Sequence, residues 1–124
     1  MARILVIDDD PLTREYVAKI VASAGHSVEQ AEDGVQGLEV FRKRPAELVI
    51  TDMVMPRADG VQVIETLLRD HPNLPVVAMS GAPESAQFLY LASYLGAGKV
   101  LTKPVTAEAM LGAVNSALSV SPKK

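Results

Sequence analysis

Short apolar runs alternate along the chain with longer segments in which apolar residues recur at helical spacing. The runs occupy residues 4–7, Val28 with its neighbours, 48–50, 76–79 and 100–101. Three of the runs are continuous and rich in β-branched residues, which is typical of strands covered on both faces. Because strand and helix alternate five times, the pattern predicts a parallel sheet with helices on both faces.

Each of the five helical segments has apolar positions that should share one inward face. These positions are Leu12, Tyr16, Ile20 and Val21, then Val35, Leu38 and Phe41, then Val61, Ile64, Leu67 and Leu68, then Phe88, Leu91, Ala92 and Leu95, and finally Leu111, Val114 and Leu118. The flanking residues support these helices. Pro11 suits a first helical turn, Gly25 suits a helix end, and Asp59 and Thr106 suit N-caps.

Length and composition limit the classes of function. The 124 residues suit one domain, which we place at residues 1–120, with a polar tail at 121–124. The net charge of −3 offers no basic surface for nucleic acid, and no apolar run approaches the roughly 20 residues that span a bilayer. The chain has no cysteine, which rules out thiol catalysis. We expect a cytoplasmic protein that binds neither nucleic acid nor membranes.

Polar side chains capable of chemistry follow four of the five predicted strands. They are Asp8, Asp9, Asp10, Asp52, Ser80 and Lys103. The carboxyl ends of parallel strands share one edge of the sheet, and ligands bind there. Carboxylates gathered at such an edge repel one another unless a cation is present. Because the available ligands are oxygens, Mg²⁺ or Mn²⁺ is favoured over zinc.

This set of groups is suited to phosphoryl transfer. A carboxylate can attack phosphorus while a metal ion, an ammonium and a hydroxyl bind the equatorial oxygens. Each residue also has a purely structural interpretation. An aspartate after a strand is commonly a helix N-cap, and Asp10 before Pro11 suits that role. A lone serine or lysine after a strand means little, so the prediction depends on all of them occurring together.

Four segments carry a resemblance to a known family. They are RILVIDDDP (3–11), LVITDMVMPRADG (48–60), PVVAMSGA (75–82) and GAGKVLTKP (96–104). Together they resemble the receiver domains of bacterial two-component response regulators, of the stand-alone single-domain type. The resemblance covers essentially the whole chain. It implies an α/β, flavodoxin-like, doubly wound sheet of five parallel strands in the order 2-1-3-4-5, with five helices.

The resemblance implies a role for each residue that would handle phosphate. Asp52 matches the phosphoacceptor, which takes its phosphoryl group from a histidine kinase or a phosphotransfer protein. Ser80 matches the switch hydroxyl, and Lys103 matches the phosphate-binding lysine. The peptide bond between Lys103 and Pro104 matches one that is typically cis in the family. Such a chain is a signalling phosphoprotein, and it catalyses only its own phosphorylation and dephosphorylation.

The resemblance also implies a Mg²⁺ site, which Mn²⁺ could also occupy. Asp9 matches the direct metal ligand, and Asp8 matches the ligand that acts largely through water. Asp52 and the backbone carbonyl of Val54 complete the set.

One position departs from the family pattern. Three residues before the lysine, the family often has an aromatic residue that turns inward on activation, whereas this chain has Val100. The departure leaves phosphorylation chemistry untouched but changes how the state is transmitted. Tyr90 and Tyr94 lie one turn apart on the predicted fourth helix, where they either cover its flank or form part of a partner surface. We expect transmission through the face of the fourth helix, fifth strand and fifth helix to an unidentified protein, and the resemblance also allows a phosphorylation-dependent dimer.

Two other functions stay open at this point. A phosphatase of the haloacid-dehalogenase type would also use Asp8-x-Asp10, a serine and a lysine, but it usually needs a longer chain and a late acidic pair. After Lys103 the chain has only Glu108. A phosphate-independent binding module with the receiver fold is the second alternative, and the complete acidic set, Ser80 and Lys103 argue against it.

Overall fold

The computed structural model describes residues 2–53, 60–81, 90 and 94–119. Five parallel strands form one sheet in the order β2-β1-β3-β4-β5, as predicted. The strands are β1 (Arg3–Ile7), β2 (Ser27–Ala31), β3 (Leu48–Asp52), β4 (Val76–Ser80) and β5 (Lys99–Thr102). Every residue of β3 and β4 is buried, whereas the edge strands β2 and β5 are mostly exposed or half-buried. This difference explains why the central strands have the most continuous apolar runs.

Four helices have defined bounds within the described ranges. They are α1 (Pro11–Ser23), α2 (Gly34–Lys43), α3 (Gly60–Asp70) and α4 (Ala107–Ser119). The last of these is the fifth helix of the sequence prediction. Of the predicted fourth helix, Tyr90 and residues 94–95 are helical, and its remaining positions lie outside the described residues. Among the helices that are described, none is long and apolar enough to cross a membrane.

The core lies in two layers, one on each face of the sheet. On one face, Val6 of β1 and Ile50 of β3 pack with α1 and α4. On the other face, Ile7 of β1 and Val49 of β3 pack with α2 and α3. Neighbouring strand residues thus serve opposite layers, and both faces of the sheet are covered as the alternation of elements predicts.

Most of the predicted helix boundaries are confirmed. Asp10 caps α1, and its side chain accepts a hydrogen bond from the backbone two residues on, with Pro11 in the first turn. Gly25 follows α1 with a positive φ of 93°, a conformation that glycine adopts without steric cost. Thr106 accepts a hydrogen bond from the backbone N–H three residues on, at 3.0 Å. The predicted cap Asp59 lies outside the described residues.

The predicted inward face of α1 is wrong at its first turns. Ile20 and Val21 are buried together with Val17, but Leu12 is 78% exposed and Tyr16 is 47% exposed. The start of α1 stands at the carboxyl edge of the sheet, where the strands end and cannot cover these side chains. Tyr16 therefore borders the site at that edge instead of the core, and Leu12 is exposed to solvent.

Close packing of α2 depends on glycine rather than on Val35, which is 37% exposed. Gly34 and Gly37 are the buried positions of the first turns of α2. A Cβ atom at Gly37 would lie 2.5 Å from Cδ1 of Ile7, so glycine lets the helix approach β1 without displacing that buried side chain. Periodicity predicts that position 35 faces inward, but the glycines occupy that face and Val35 is turned away.

Candidate functional site

The sheet brings the predicted site residues together at its carboxyl edge. Asp52 ends β3, Ser80 ends β4, and Lys103 directly follows β5. The backbone N–H of Lys103 donates to the carbonyl of Ser80 at 3.0 Å, which extends the β4–β5 pairing by one residue. A cavity of about 550 Å³ opens at this edge. It is lined by Thr13, Tyr16, Asp52, Ser80, Gly81, Lys103, Pro104 and Val105.

Three carboxylates converge at the same edge. Asp8, Asp9 and Asp52 each offer an oxygen, and these oxygens lie within 4.8 Å of one another. Asp8 is fully buried, Asp52 is 5% exposed, and Asp9 is exposed. The backbone N–H of Asp10 donates to Oδ1 of Asp8 at 2.9 Å, which fixes the orientation of the buried carboxylate. The cluster offers the all-oxygen ligand set that Mg²⁺ prefers.

The third acidic residue of the run, Asp10, serves as a helix cap. Its carboxylate accepts a hydrogen bond from the hydroxyl of Thr13 at 2.8 Å and another from the backbone N–H of Leu12 at 3.2 Å. The hydrogen bond from Thr13 is the largest influence on the pKa of Asp10, which lies below its ordinary value. The structural interpretation of Asp10 is therefore the right one, and its side chain is engaged outside the carboxylate cluster.

Lys103 forms ion pairs with two of the clustered carboxylates. Its Nζ atom lies 3.0 Å from Oδ2 of Asp8 and 3.4 Å from Oδ2 of Asp52. Burial opposes the charge of the lysine, but the contact with Asp8 and the attraction of Asp52 together outweigh it, so the pKa of Lys103 is raised. The lysine therefore stays charged at neutral pH. Its peptide bond to Pro104 is cis, as the resemblance implied.

Asp52 has the most perturbed acid–base behaviour in the site. Burial is the main cause, and repulsion from Asp8 adds to it, so the pKa of Asp52 rises from 3.8 to about 6 even though Lys103 opposes the shift. Among the described residues, three carboxylates thus lie at this edge with the one ammonium group of Lys103. The imbalance leaves a negative site that favours a further cation.

Ser80 contributes a buried hydroxyl to the site. Its side chain is fully buried, and Oγ has no hydrogen-bond partner among the described residues. A buried polar group without a partner costs about 1–3 kcal/mol. The hydroxyl ends β4 beside Lys103, so an anionic oxygen bound at this edge could satisfy both groups.

Two contacts near the site are not predicted by the sequence. Arg14 donates from Nη1 to the backbone carbonyl of Asp8 at 2.8 Å. Gly81 lets the stem of Lys103 pass, because a Cβ atom there would lie 2.9 Å from Cβ of the lysine. No hydrophobic periodicity in the sequence indicates that Arg14 contacts a carbonyl six residues earlier. Nothing in the sequence indicates that Lys103 approaches Gly81. The predicted carbonyl ligand, Val54, lies outside the described residues.

The fold and the arrangement of the site are those of a receiver domain, and comparison with known proteins agrees. The family model described as "Response regulator receiver domain" matches residues 4–115. The receiver domain of NtrX from Brucella abortus superposes with a TM-score of 0.90 at 32% identity, covering 95% of this chain and 99% of that one. The chain therefore belongs to the response regulator receiver domain family, whose members signal in two-component systems.

The relatives differ in how much of their length the chain matches. PilH of Pseudomonas aeruginosa is 31% identical over 121 residues, which cover 96% of this chain and 99% of PilH. The transcriptional regulatory protein GlrR of Escherichia coli K12 is 34% identical over 120 residues, which cover 97% of this chain but 27% of GlrR. The response regulator MprA of a Mycobacterium species is matched over 50% of its length. The chain thus spans half or less of several curated relatives and nearly all of PilH.

Proposed function

We propose that this chain accepts a phosphoryl group on Asp52 from a phospho-histidine donor, either a histidine kinase or a phosphotransfer protein. One observation carries the proposal: the buried carboxylate of Asp52 lies in a cluster with two other carboxylates, and Nζ of Lys103 lies 3.4 Å from its Oδ2 atom. Such an acceptor has a counter-charge for the incoming group and a place for a metal ion. The cavity of about 550 Å³ gives a donor access from solvent.

The transfer itself requires little of the protein beyond position and charge. A carboxylate oxygen of Asp52 forms a bond to phosphorus while the P–N bond to the donor imidazole breaks, and the electron pair of that bond stays on nitrogen. Lys103 then pairs with a phosphoryl oxygen in addition to the carboxylate of Asp8. The hydroxyl of Ser80 donates to another phosphoryl oxygen and gains the partner that it lacks among the described residues.

The carboxylate cluster supports a Mg²⁺ site, with Mn²⁺ as a substitute. Its oxygen ligands and excess negative charge fit a hard divalent ion. Asp9 and Asp52 would hold the ion directly and Asp8 largely through water, with the carbonyl of Val54 as a further ligand. When bound, the ion would neutralise charge on the phosphoryl oxygens. Asp9 and Asp8 would keep the ion beside the acceptor, and Lys103 would stay on the phosphate side.

Exposed side chains support a protein partner on the face of the predicted fourth helix, β5 and α4. Tyr90 is 76% exposed and Tyr94 is 78% exposed, which favours a partner surface over a cover for the helix flank. Val100 of β5 is also exposed, at 38%. Aromatic side chains of this kind are favoured at protein interfaces. We propose this face as the route by which the phosphorylated state reaches a partner, which could be a second copy of the chain.

The same proposal covers the organisation of the chain and its cellular compartment. We propose one receiver domain at residues 1–120 with a tail at 121–124, acting in the cytoplasm without bound nucleic acid or membrane. Its chemistry would be limited to its own acyl phosphate. Membership of the receiver family favours this function over a phosphatase of the haloacid-dehalogenase type. The intact set of Asp52, Lys103 and Ser80 favours it over a phosphate-independent binding module.

Intact-mass measurement after incubation with acetyl phosphate and Mg²⁺ tests the proposal. The wild-type chain should gain one phosphoryl group, and it should gain none when EDTA removes the metal. Asp52→Ala should stay unmodified, whereas Asp10→Asn should still be phosphorylated because Asp10 is the cap of α1. Phosphorylation of Asp52→Ala under the same conditions would overturn the assignment.

A further inference from the structure

One residue of α1 holds the backbone on both sides of Asp9. The backbone N–H of Arg14 donates to the carbonyl of Asp10 at 2.9 Å, and its Nη1 atom donates to the carbonyl of Asp8 at 2.8 Å. Its Nε atom also donates to Oε1 of Gln30 on β2 at 3.2 Å. The guanidinium therefore ties the segment between β1 and α1 to the neighbouring strand.

The guanidinium of Arg14 donates a hydrogen bond to the carbonyl of Asp8, which strand pairing does not satisfy. The backbone N–H of Asp8 donates to the carbonyl of Ala31 at 3.1 Å, which is the last hydrogen bond between β1 and β2 in this direction. The register of β1 with β2 ends with Ile7 opposite Ala31. The carbonyl of Asp8 lies beyond that register and is held by Arg14 instead.

We propose that Arg14 is a positioning residue for the divalent cation, because it fixes the segment from which Asp9 projects. The inference rests on the metal site proposed above. Asp9 is exposed and gains no order from burial, so its direction depends on the backbone at each side of it. Groups that orient metal ligands from outside typically change metal affinity by about 10–100-fold.

The guanidinium has a second effect of opposite sign. Its positive charge repels a cation at the nearby carboxylates, so loss of the charge alone would tighten metal binding. Arg14 is half-buried, and its fork contacts two acceptors at once, which a lysine cannot reproduce. Positioning and charge therefore predict different results for Arg14→Lys and Arg14→Met, since lysine keeps the charge but loses the fork.

Mg²⁺ titration of the full chain by calorimetry separates the two effects. If Arg14 positions the ligands, both Arg14→Lys and Arg14→Met should weaken Mg²⁺ binding, by about tenfold for the methionine variant. Gln30→Ala is the matched control. It removes the second partner of the guanidinium, leaves the contact with Asp8, and should bind Mg²⁺ much as the wild type does. The amide NMR signals of Asp9 and Asp10 should shift in both Arg14 variants before metal is added.

Three results would overturn the inference while leaving the proposed metal site intact. Unchanged Mg²⁺ affinity in both Arg14 variants would show that the contact does not position the ligands. Tighter binding in Arg14→Met with no change in Arg14→Lys would show that only charge matters. A lower urea midpoint without Mg²⁺, combined with wild-type affinity in the folded variants, would assign Arg14 a purely structural role. If the wild-type chain itself fails to bind Mg²⁺, the proposed metal site is wrong and the inference falls with it.

Discussion

The ammonium nitrogen of Lys103 lies 3.0 Å from Oδ2 of Asp8, a carboxylate with no solvent exposure. Its distance to the proposed acceptor carboxylate is longer, at 3.4 Å. Without phosphate, Lys103 is therefore mainly the counter-ion of Asp8, a residue of the proposed metal site. A divalent cation that approaches the cluster meets carboxylates already paired with this ammonium group.

This competition gives the first prediction. Lys103→Ala should leave Mg²⁺ binding intact or tighten it, because the variant removes a positive charge that competes for Asp8. The same variant should respond poorly to phosphate, since the anionic oxygens lose their ammonium partner. Calorimetric Mg²⁺ titration measures the first effect, and NMR shifts on addition of beryllofluoride, an acyl-phosphate mimic, measure the second.

Asp9→Asn is the reciprocal variant and gives the second prediction. It keeps the shape of the side chain but removes a charged ligand, so Mg²⁺ affinity should fall while Lys103 keeps its ion pairs with Asp8 and Asp52. The same calorimetric titration measures the loss. Normal affinity in Asp9→Asn together with lost affinity in Lys103→Ala would reverse the two assignments.

The raised pKa of Asp52 predicts a pH-dependent stability. Because the folded chain holds the proton up to about pH 6 and the ordinary value is 3.8, the contribution of Asp52 to stability is greatest below pH 4 and is lost as pH rises through 6. The Asp52→Asn variant has no carboxyl group to ionise at this position, so it should not lose this stability as the pH rises. At pH 7.5 without metal, we expect the variant to exceed the wild type in free energy of unfolding by about 1–3 kcal/mol.

Urea titrations at several pH values in EDTA measure the effect. The advantage of Asp52→Asn should shrink between pH 6 and pH 4. Asp10→Asn is a suitable comparison because the pKa of Asp10 is shifted downward, so this variant should gain no stability at pH 7.5. An Asp52→Asn variant that is no more stable than the wild type at pH 7.5 would show that the buried charge is not costly.

Close approach of α3 to the site gives a fourth prediction. A Cβ atom at Gly60 would lie 2.5 Å from the carbonyl oxygen of Asp52 and 2.6 Å from Cα of Met53, both backbone atoms. Gly60→Ala should therefore lower the free energy of unfolding by about 1–3 kcal/mol and shift the NMR signals of Asp52. In Gly112→Ala, the matched control in α4, a Cβ atom meets nothing within 4 Å. That helical substitution should stabilise the chain by about 0.5–1 kcal/mol.

The sequence predicted the strands and the site because both depend on short-range pattern. Continuous apolar runs mark the central strands, and in a parallel sheet any polar residue just after a strand must lie at one edge. Asp8, Asp52, Ser80 and Lys103 follow that rule, so their convergence could be predicted without coordinates.

Other features could not be predicted, because they depend on how elements meet in three dimensions. Periodicity placed Leu12 and Tyr16 in the core, but it does not show where the sheet ends beneath a helix. The contact of Arg14 with a carbonyl depends on the path of a loop. The approach of Gly60 to Asp52 depends on the distance between α3 and β3, which no local pattern records.

The route of the signal is the last prediction, and it begins at Ser80. The hydroxyl of Ser80 is buried and has no partner within the described part of the chain. An acyl phosphate on Asp52 would attract it, and Gly81, the next residue, packs against the stem of Lys103. Movement of Ser80 should therefore displace Gly81 and bias two arrangements of the segment that follows.

Val100 cannot fill the space that Ser80 vacates as a larger aromatic side chain could, so the change should appear in Gly81 and on the face that carries Tyr90 and Tyr94. We expect beryllofluoride to shift the NMR signals of these residues, and Ser80→Ala to suppress the shifts without preventing phosphorylation of Asp52. Coupling between two sites is typically about 1–3 kcal/mol, so a partner on this face should bind the phosphorylated chain roughly 5–150-fold more tightly. If the tyrosines stayed silent while α1 responded, the signal would leave through α1, and the exposed aromatic face would have another role.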